Sequence, residues 1–375
     1  MRIGIDAHLV KAQPTGVGKA ITRTIEAMAG AAPDDQFVVY ANRQFPDVLD
    51  RKANCRVVRT PLIARSRILR ILHERSRMPH HTARADLDVF YAPGYVFPAE
   101  LPVRMVLGIF DLNALKYPRR VRFETARYYK LAMPKSARRA RLILAPTRAV
   151  AGDIEQILGI PPDRIRVVPC AVDDRFRRPP GDAGPVAGKY GIAAPYVLFV
   201  GNIEPNKNLA RLVEAFFAAR LHKKLPHQLV LAGKKRHRAE RIERTVRQLG
   251  CADHVVFTGY VPDDELPALY AGADVFVYPS HAEGFGIPPL EAMLSGTPTV
   301  TSEDPAVVEV TGDGALHVPS TDLAALREAI EKVLGDKPFA ERLARRGRQV
   351  AAPYNWAETG RRTLEALREA AGERP

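Results

Sequence analysis

The run Pro279-Ser-His-Ala-Glu-Gly-Phe-Gly-Ile-Pro-Pro-Leu-Glu-Ala-Met293 places two glutamates, Glu283 and Glu291, on either side of a glycine-rich turn. The apolar stretch before it, Asp274 to Tyr278, is typical of a buried parallel strand, and Leu290 to Leu294 begins a helical pattern. The turn is therefore expected at the carboxyl edge of a parallel sheet, where ligands bind and where the next helix N-terminus attracts anions. We expect a nucleotide-like ligand there.

The side chains of this turn suit such a ligand. Gly284 and Gly286 allow a close backbone approach or a positive φ. One carboxylate can accept two hydrogen bonds from the vicinal hydroxyls of a ribose, and another can face a cationic, sugar-like transition state. Alternatively, Glu283 caps the turn and Glu291 complements the helix dipole. The combination of both glutamates with both glycines and Phe285 favours ligand binding.

Short apolar or β-branched runs recur along the chain and alternate with helical stretches. One series lies at residues 2–5, 37–40, 56–58, 89–91, 105–109, 142–145 and 165–168, and a second at 196–200, 229–232, 255–258, 275–278, 299–301 and 316–318. This alternation predicts an α/β protein with two doubly wound parallel sheets, one in each of two domains. The segment Arg177 to Ala194, rich in Pro and Gly, is expected to link the domains.

These features resemble the family-four retaining glycosyltransferases, and the resemblance extends over nearly the whole chain. Beside the glutamate pair, it rests on Arg2-Ile-Gly-Ile-Asp6, Thr15-Gly-Val-Gly18, Phe110-Asp-Leu112, Gly201-Asn-Ile-Glu-Pro-Asn-Lys-Asn208, Phe257-Thr-Gly-Tyr260, Gly296-Thr-Pro-Thr-Val300 and Glu309. That family has the GT-B fold, in which two Rossmann-like domains face a central cleft. The resemblance implies an N-terminal acceptor-binding domain over residues 1–178 with a returning C-terminal helix over 356–375, and a C-terminal nucleotide-sugar-binding domain over 190–355.

The turn from Gly201 to Asn208 precedes another helical pattern, so a second helix N-terminus is expected at a sheet edge. By resemblance, Lys207 holds the donor diphosphate; an exposed loop lysine is the alternative. Relatives often carry arginine at positions 202 and 206, but this chain has Asn202 and Asn206, which carry no charge. The diphosphate is therefore expected to depend more on backbone amides and Lys207, or to recruit a basic residue at 234–236.

Two loops of the first domain are also candidates. In Thr15-Gly-Val-Gly18, the amides of Gly16 and Gly18 can approach an anion, and the resemblance places this loop over the donor phosphate and the acceptor; a simple tight turn is the alternative. Asp111 follows Phe110, which occupies the position of a histidine that lies near the transferred sugar in relatives. Because phenylalanine cannot hydrogen-bond to a hydroxyl, sugar recognition differs, Asp111 provides it, or activity is impaired. Asp111 as a cap on the next segment is the alternative.

The resemblance completes the expected site. Glu283, Lys207 and Asp111 are the expected catalytic residues, with Glu283 facing the sugar, while Glu291 binds the ribose. Donor contacts are expected from Gly16, Gly18, Gly201, Asn202, Asn206, Lys207, Tyr260, Val261, Gly284, Phe285, Gly286, Ile287 and Glu291. Because backbone groups near Tyr260 recognise the base, the sequence does not identify which base it is.

No metal and no cofactor are expected. The family generally needs no bound divalent ion, and Asp173-Asp174 resembles a metal-binding pair only superficially. The three cysteines, Cys55, Cys170 and Cys251, are far apart and lack metal-ligand spacing, so they are interpreted as small buried hydrophobic residues.

The net charge of +14 is concentrated in the first half of the chain. Residues 1–190 carry 33 Lys and Arg against 18 Asp and Glu, whereas residues 191–375 carry 23 against 24. The segment Arg65 to Arg77, with four aliphatic residues interleaved, predicts a basic amphipathic helix on an anionic membrane surface; the solvated face of an ordinary helix is the alternative.

No nucleic-acid-binding motif accompanies the arginines, so nucleic acid is not an expected partner. With no apolar run near the roughly 20 residues of a membrane span, the protein is expected in the cytoplasm or peripherally on the inner face of the cell membrane.

The motifs Glu204-Pro-x-Lys-Asn208 and Glu283-Gly-Phe-Gly-Ile-Pro288 resemble those of bacterial mannosyltransferases of polysaccharide assembly. We therefore expect retaining, metal-independent transfer of mannose from GDP-mannose to a glycan or polyprenyl-linked acceptor. Three alternatives stay open. They are a UDP-sugar-dependent transferase of the same family, a nucleotide-sugar 2-epimerase, and a nucleotide-sugar-binding protein impaired in catalysis, the last suggested by Phe110 and the absent arginines.

Overall fold

A computed structural model describes residues 1–12, 16–61, 67–178, 181–193, 195–236 and 238–372. The chain divides into two compact units, Met1–Ala171 with Tyr354–Pro375, and Val172–Pro353. Thr15, Arg65, Ser66, Pro179, Pro180, Ala194 and residues 373–375, which belong to segments singled out above, lie outside the described residues. Within those residues, no helix combines the length and apolar character that a membrane crossing requires.

The first unit contains a seven-stranded parallel sheet. Its strands are β1 (Arg2–Asp6), β2 (Gln36–Asn42), β3 (Cys55–Thr60), β4 (Val89–Ala92), β5 (Met105–Gly108), β6 (Leu142–Ala145) and β7 (Ile165–Val167), in the spatial order β3-β2-β1-β4-β5-β6-β7. On β1, Ile3 lies opposite Phe37 of β2 and Val89 of β4. Every residue of β4, β5 and β6 is buried. Strands covered on both faces form continuous apolar runs, which is why the sequence located them.

Helices cover both faces of this sheet. They are α1 (Val17–Ala31), α2 (Arg67–Ser76), α3 (Met78–Ala83), α4 (Asn113–Lys116), α5 (Phe123–Arg139) and α6 (Arg148–Leu158). On one face, Ile25 of α1 belongs to an apolar cluster with Ile5 and Val39. On the other face, Met133 of α5 packs in a cluster with Phe90. The sheet therefore has a core on each side, as a doubly wound fold requires.

The second unit contains a six-stranded parallel sheet. Its strands are β8 (Tyr196–Val200), β9 (Gln228–Ala232), β10 (Val255–Gly259), β11 (Val275–Tyr278), β12 (Thr299–Ser302) and β13 (Leu316–Val318), in the order β10-β9-β8-β11-β12-β13. Val197 of β8 lies opposite Leu229 of β9 and Val275 of β11. The α/β prediction of two doubly wound parallel sheets is confirmed.

Eight helices belong to the described part of this unit. They are α7 (Ala183–Lys189), α8 (Leu209–Lys223), α9 (Glu240–Gln248), α10 (Leu266–Ala271), α11 (Ile287–Ser295), α12 (Pro305–Thr311), α13 (Leu323–Gly335) and α14 (Lys337–Ala351). Helix α11 begins three residues before the expected Leu290. Gly286 takes a left-handed conformation with φ 100° just before it, and the two prolines that follow fit the first helical turn, which needs no amide donors.

The segment Arg177 to Ala194, which its Pro and Gly content predicted to link the domains, lies within the second unit. The boundary between the units falls earlier, at Ala171–Val172. The segment contains α7, which begins where the side chain of Asp182 accepts a hydrogen bond from the amide of Gly184. The Tyr190 hydroxyl then donates to Glu265 Oε2 at 2.6 Å, so the segment is held within the second unit.

The last helix, α15 (Trp356–Ala371), packs on the first unit beside α1. Leu364 and Leu367 enter the same apolar cluster as Ile25. Gly360 permits this close approach, because a Cβ there would lie 2.7 Å from the Cβ of Ala27. The first unit is thus assembled from two separate parts of the chain.

In each sheet the strand that comes first in the sequence lies in the interior of the sheet. The following strands are added first on one side of it and then on the other, so the strand order reverses next to this first strand. The pairs are β1 with β4 in the first unit and β8 with β11 in the second. Loops that leave the carboxyl ends of such neighbouring strands form the crevice where doubly wound proteins bind ligands. Most of the residues predicted for the site follow β8 and β11, and a polar cluster described below lies at the carboxyl end of β1.

Candidate functional site

Two loops at the carboxyl edge of the second sheet are joined by asparagine side chains. Asn208, which ends the turn after β8 with a φ of 57°, donates to the carbonyl of Pro279 at 3.2 Å and to that of Ser320 at 2.7 Å. Asn206 Nδ2 donates to the carbonyl of Ala282 at 2.6 Å. These amides hold the turn after β8 against the glycine-rich turn after β11. Asn206 was predicted to contact the nucleotide-sugar donor, and in the structure its side chain makes a hydrogen bond to the turn after β11.

Lys207 and Glu283 form an ion pair at the centre of this edge. Lys207 Nζ lies 2.5 Å from Glu283 Oε1 and 3.0 Å from the Tyr278 hydroxyl, and the two charged side chains are only 12% and 13% exposed. Burial disfavours the ammonium, but the Glu283 carboxylate and the Tyr278 hydroxyl outweigh it and raise the pKa of Lys207. Lys207 therefore stays charged throughout the physiological range, and its charge is balanced by a carboxylate.

Glu291 is held by a tyrosine from a neighbouring helix. The hydroxyl of Tyr270, on α10, donates to Glu291 Oε2 at 2.8 Å. Tyr270 is fully buried, and burial together with the Glu291 charge raises its pKa well above the usual value. Because the tyrosine keeps its proton, it holds the Glu291 carboxylate in one orientation near the start of α11.

Asp304 is a further carboxylate beside the ion pair, and it follows β12. It accepts from the amides of Ala306 at 3.1 Å and Val307 at 3.2 Å, and so caps α12. Burial, and secondly the Glu283 charge, raise the pKa of Asp304 to about 6, against the lowering effect of its backbone hydrogen bonds. The site thus contains an acid that titrates near neutrality.

Replacement of Asp304 by asparagine is expected to change how stability depends on pH. The ordinary pKa of an aspartate is 3.8, and that of Asp304 in the folded protein is about 6. Between these two pH values, the folded protein keeps a proton on Asp304 that the unfolded chain has lost. Unfolding releases this proton, so the free energy of unfolding falls as the pH rises through that window. From about pH 4 to about pH 7 we expect the parent protein to lose about 1 kcal/mol relative to Asp304→Asn, with allowance for partial exposure. Urea unfolding at several pH values measures this difference, and parallel profiles would contradict it.

Two of the basic residues that follow β9 lie beside residues predicted to contact the nucleotide sugar. Lys234 Nζ is 4.3 Å from the ring centroid of Tyr260, and Arg236 Nε donates to Asn202 Oδ1 at 3.2 Å. Lys235 instead pairs with Glu243 at 2.5 Å. Lys234 and Arg236 are therefore placed where they can supply the charge that the asparagines lack.

The other predicted residues belong to the first unit. Gly16 precedes α1 with a φ of 51°, a conformation that favours glycine, and its carbonyl accepts from Ala20. Asp111 accepts from the amide of Asn113 at 2.9 Å and from the Tyr95 hydroxyl at 2.8 Å. Phe110 packs edge-on against Tyr95, with ring centroids 5.8 Å apart. Asp111 thus bonds the amide of the first residue of α4, and its sugar-binding role stays a prediction.

The structure groups Gly201, Asn202, Asn206, Lys207, Tyr260, Val261, Glu283, Gly284, Phe285, Gly286, Ile287 and Glu291 in the second unit, and Gly16, Gly18 and Asp111 in the first. Sequence reasoning missed Tyr270, Tyr278 and Asp304. Tyr278 is the last residue of a predicted strand and Asp304 precedes a proline, which is a capping signal. Nothing in the sequence connects Tyr270 with Glu291.

Two family models match the chain. Glycosyltransferase Family 4 matches residues 14–176, and Glycosyl transferases group 1 matches residues 190–350. The chain belongs to the family-four glycosyltransferases. The match to two successive models follows the division of the protein into two units.

This glycosyltransferase is similar to O-antigen chain mannosyltransferase B of Escherichia coli, with 28% identity over 98% of this chain and 100% of that protein. It is 33% identical to the serotype-specific mannosyltransferase WbdA of Escherichia coli over 61% of this chain, but that match spans only 29% of WbdA. Among solved structures, sucrose-phosphate synthase from Thermosynechococcus elongatus superposes with a TM-score of 0.81 at 22% identity, covering all of both chains. Its likeness establishes the GT-B fold of this glycosyltransferase.

Proposed function

We propose that this glycosyltransferase moves mannose from GDP-mannose to a hydroxyl of a glycan or polyprenyl-linked acceptor, with retention, during assembly of a cell-envelope polysaccharide. The observation that carries the proposal is the pairing of Lys207 with Glu283 at the carboxyl edge of the second sheet, beside the tyrosine-held Glu291. Mannose is favoured because the mannosyltransferase from Escherichia coli aligns along its whole length.

The proposed reaction assigns Lys207 to the leaving group. The bond from the anomeric carbon to the diphosphate breaks, and its electron pair stays on the diphosphate. The ammonium of Lys207 has three donors, so it can contact a diphosphate oxygen while it still pairs with Glu283. The N-termini of α8 and α11 add further positive potential at this edge. This proposal needs no metal and no other cofactor at the diphosphate.

Glu283 and Glu291 divide the remaining roles. The Glu283 carboxylate faces the sugar, where positive charge develops as the diphosphate departs. The acceptor oxygen forms the new bond on the same face, and its proton passes to the departing phosphate. Glu291, oriented by Tyr270, accepts the ribose hydroxyls. Lys234 and Arg236 lie near Tyr260 and Asn202, and we assign them the phosphate contacts that arginine makes in relatives.

A panel of nucleotide sugars tests the proposal. The purified protein is incubated with GDP-mannose, GDP-glucose, UDP-glucose or UDP-galactose, with and without membrane extract, and the released nucleoside diphosphate is measured. Release from GDP-mannose that rises with extract is the expected result, and NMR of the product then reports the anomeric configuration. A UDP sugar as the preferred donor would overturn the choice of GDP-mannose. Sugar isomerisation without acceptor would indicate the epimerase, and donor binding without release would indicate a binding protein.

We also propose that α2 contacts an anionic membrane surface from the cytoplasmic side. Within this helix Leu69 and Leu72 are 54% and 57% exposed, and Arg75 is exposed beside them, whereas Glu74 is buried on the opposite side. Exposed leucines together with basic residues are typical of helices that lie at a lipid headgroup boundary.

Replacement of both Leu69 and Leu72 by glutamine is expected to weaken sedimentation with anionic vesicles by at least about tenfold, because each leucine contributes about 1 kcal/mol or more when its exposed area is buried. Leu221→Gln serves as the control, since Leu221 is 65% exposed in the second unit. Reversal of charge at Arg75 should weaken binding further at low salt. Unaltered sedimentation of the double variant would leave α2 as an ordinary solvated helix.

A further inference from the structure

Three buried polar side chains converge at the carboxyl end of β1, in the first unit. Asp6 is the last residue of β1, His8 follows two residues later, and Glu74 reaches them from α2. Their exposures are 3%, 1% and 1%. One ligand atom of each lies within 4.8 Å of the others. In the part of the chain that the structure describes, no other group of three His, Cys, Asp or Glu side chains meets this spacing.

The Asp6–His8 pair is already ordered. His8 Nδ1 lies 2.6 Å from Asp6 Oδ1, and the His8 amide donates to the same oxygen at 3.1 Å. His8 Nε2 is buried and has no hydrogen-bond partner among the described residues. An ion that both side chains ligate would replace the proton between His8 Nδ1 and Asp6 Oδ1.

Glu74 completes the cluster, but its carboxyl oxygens lack hydrogen-bond partners among the described residues. Both of its carboxylate oxygens are buried without a hydrogen-bond partner in the described parts of the chain, and Arg70 Nε approaches Oε1 only to 3.5 Å. A buried carboxylate without hydrogen bonds is costly. Burial, and secondly the charge of Asp6, raise the pKa of Glu74 well above its ordinary value. The cluster therefore contains two carboxyl groups and a histidine, with Arg70 as a neighbouring cation.

We propose that Asp6, His8 and Glu74 bind one divalent transition-metal ion. Zn²⁺ and Mn²⁺ accept mixed imidazole and carboxylate ligands, whereas Mg²⁺ and Ca²⁺ take oxygen ligands. Around an ion with bonds of about 2.1 Å, ligand atoms lie about 3 to 4.2 Å apart. Asp6 Oδ1 and His8 Nδ1, now 2.6 Å apart, would therefore separate slightly, and the Glu74 oxygen already lies within 4.8 Å of a ligand atom of each. The ion would supply the missing partner of Glu74 and would favour the ionised form of its carboxyl group.

The position of the cluster indicates what the ion would do. Its ligands come from the end of β1 and from α2, so the ion would join a sheet strand to a helix. His73, the neighbour of Glu74 on α2, lies with its ring centroid 5.2 Å from that of His8, and its Nε2 is also buried without a hydrogen-bond partner in the described chain. The ion is thus expected to hold α2 in place against β1, and so to keep Leu69 and Leu72 on the exposed side of the helix. This inference is independent of the proposed donor and acceptor.

Metal content measures the site directly. The intact protein is stripped with a chelator, equilibrated with Zn²⁺ or Mn²⁺ in a weakly chelating buffer, separated from free ion and analysed by mass spectrometry of the elements. We expect about one ion per chain for the parent protein and less than about one tenth for Glu74→Gln, since loss of a ligand costs at least about a hundredfold in affinity. Glu155→Gln, an exposed glutamate on α6 of the same unit, should retain the parent value.

Two further measurements separate binding from folding. Glutamine is isosteric with glutamate, and His8→Asn keeps a hydrogen-bond donor near Asp6 while it removes the imidazole, so both variants should keep the parent circular dichroism. Metal should raise the Tm of the parent protein by at least about 4 °C and slow hydrogen exchange over residues 67–76, with neither effect in the variants. A parent protein that binds no ion, or equal metal content in the parent and in Glu74→Gln, would overturn the proposal.

Discussion

Glu283→Gln should leave nucleotide binding intact and lower the rate of sugar transfer by at least about a hundredfold. Glutamine keeps the size of the side chain and can still accept a hydrogen bond from Lys207 Nζ, which lies 2.5 Å from Oε1 in the parent protein. It removes the negative charge that would face the developing sugar cation. Product formation gives the transfer rate, and calorimetry with the nucleoside diphosphate gives the dissociation constant.

Glu341→Gln is the matched control for this experiment, because Glu341 is exposed on α14 of the same unit. Its activity and affinity should equal those of the parent protein. If Glu283→Gln loses nucleotide affinity but transfers sugar at the parent rate once saturated, the roles of Glu283 and Glu291 are assigned wrongly.

Lys207→Ala should reduce turnover by at least about tenfold, since an interaction of about 1.4 kcal/mol with the leaving diphosphate is lost. It should also destabilise the protein, because Glu283 is left 13% exposed without its cation. Breaking one partner of a buried pair costs about 2 to 4 kcal/mol. Urea denaturation measures this loss, and initial rates at saturating donor measure turnover.

The double variant Lys207→Ala/Glu283→Gln distinguishes the two effects. Since no unpaired charge remains, it should recover at least about half of the stability lost in Lys207→Ala, while its turnover stays low. A double variant as unstable as the sum of the single variants would mean that the two side chains are not coupled. Unchanged turnover in Lys207→Ala would remove Lys207 from the leaving group.

The strands and the glycine-rich turns were predictable because their causes are local. Parallel strands covered on both faces are continuous apolar runs, so β4, β5, β6 and β11 are visible as sequence. The turn at Gly286 is also local, since it needs a residue that tolerates a φ of 100°. The segment after Arg177 was misinterpreted because Pro and Gly signal turns, yet Asp182 provides a cap that begins α7.

The contacts between candidate residues were not predictable, because tertiary packing sets them. Lys207 and Glu283 are 76 residues apart in sequence, and each was predicted as a ligand contact rather than as a partner of the other. Tyr270 reaches Glu291 only because α10 lies beside α11. The convergence of Glu74 on the end of β1 likewise requires the packing of α2. Sequence patterns indicate which loops meet at a sheet edge, but not which charges neutralise one another there.

The helix α15 has a consequence for how the protein is made. The apolar surface that α1 shares with α15 stays uncovered until the ribosome has synthesised the whole second unit, Val172–Pro353. At about 5 to 20 residues per second, these roughly 180 residues take on the order of 10 to 40 seconds. The second unit can fold as soon as it emerges, whereas the surface of α1 around Ala27, which Gly360 of α15 contacts, stays uncovered until the last helix is made. The nascent chain is therefore open to chaperones, or to aggregation, at the half that is synthesised first.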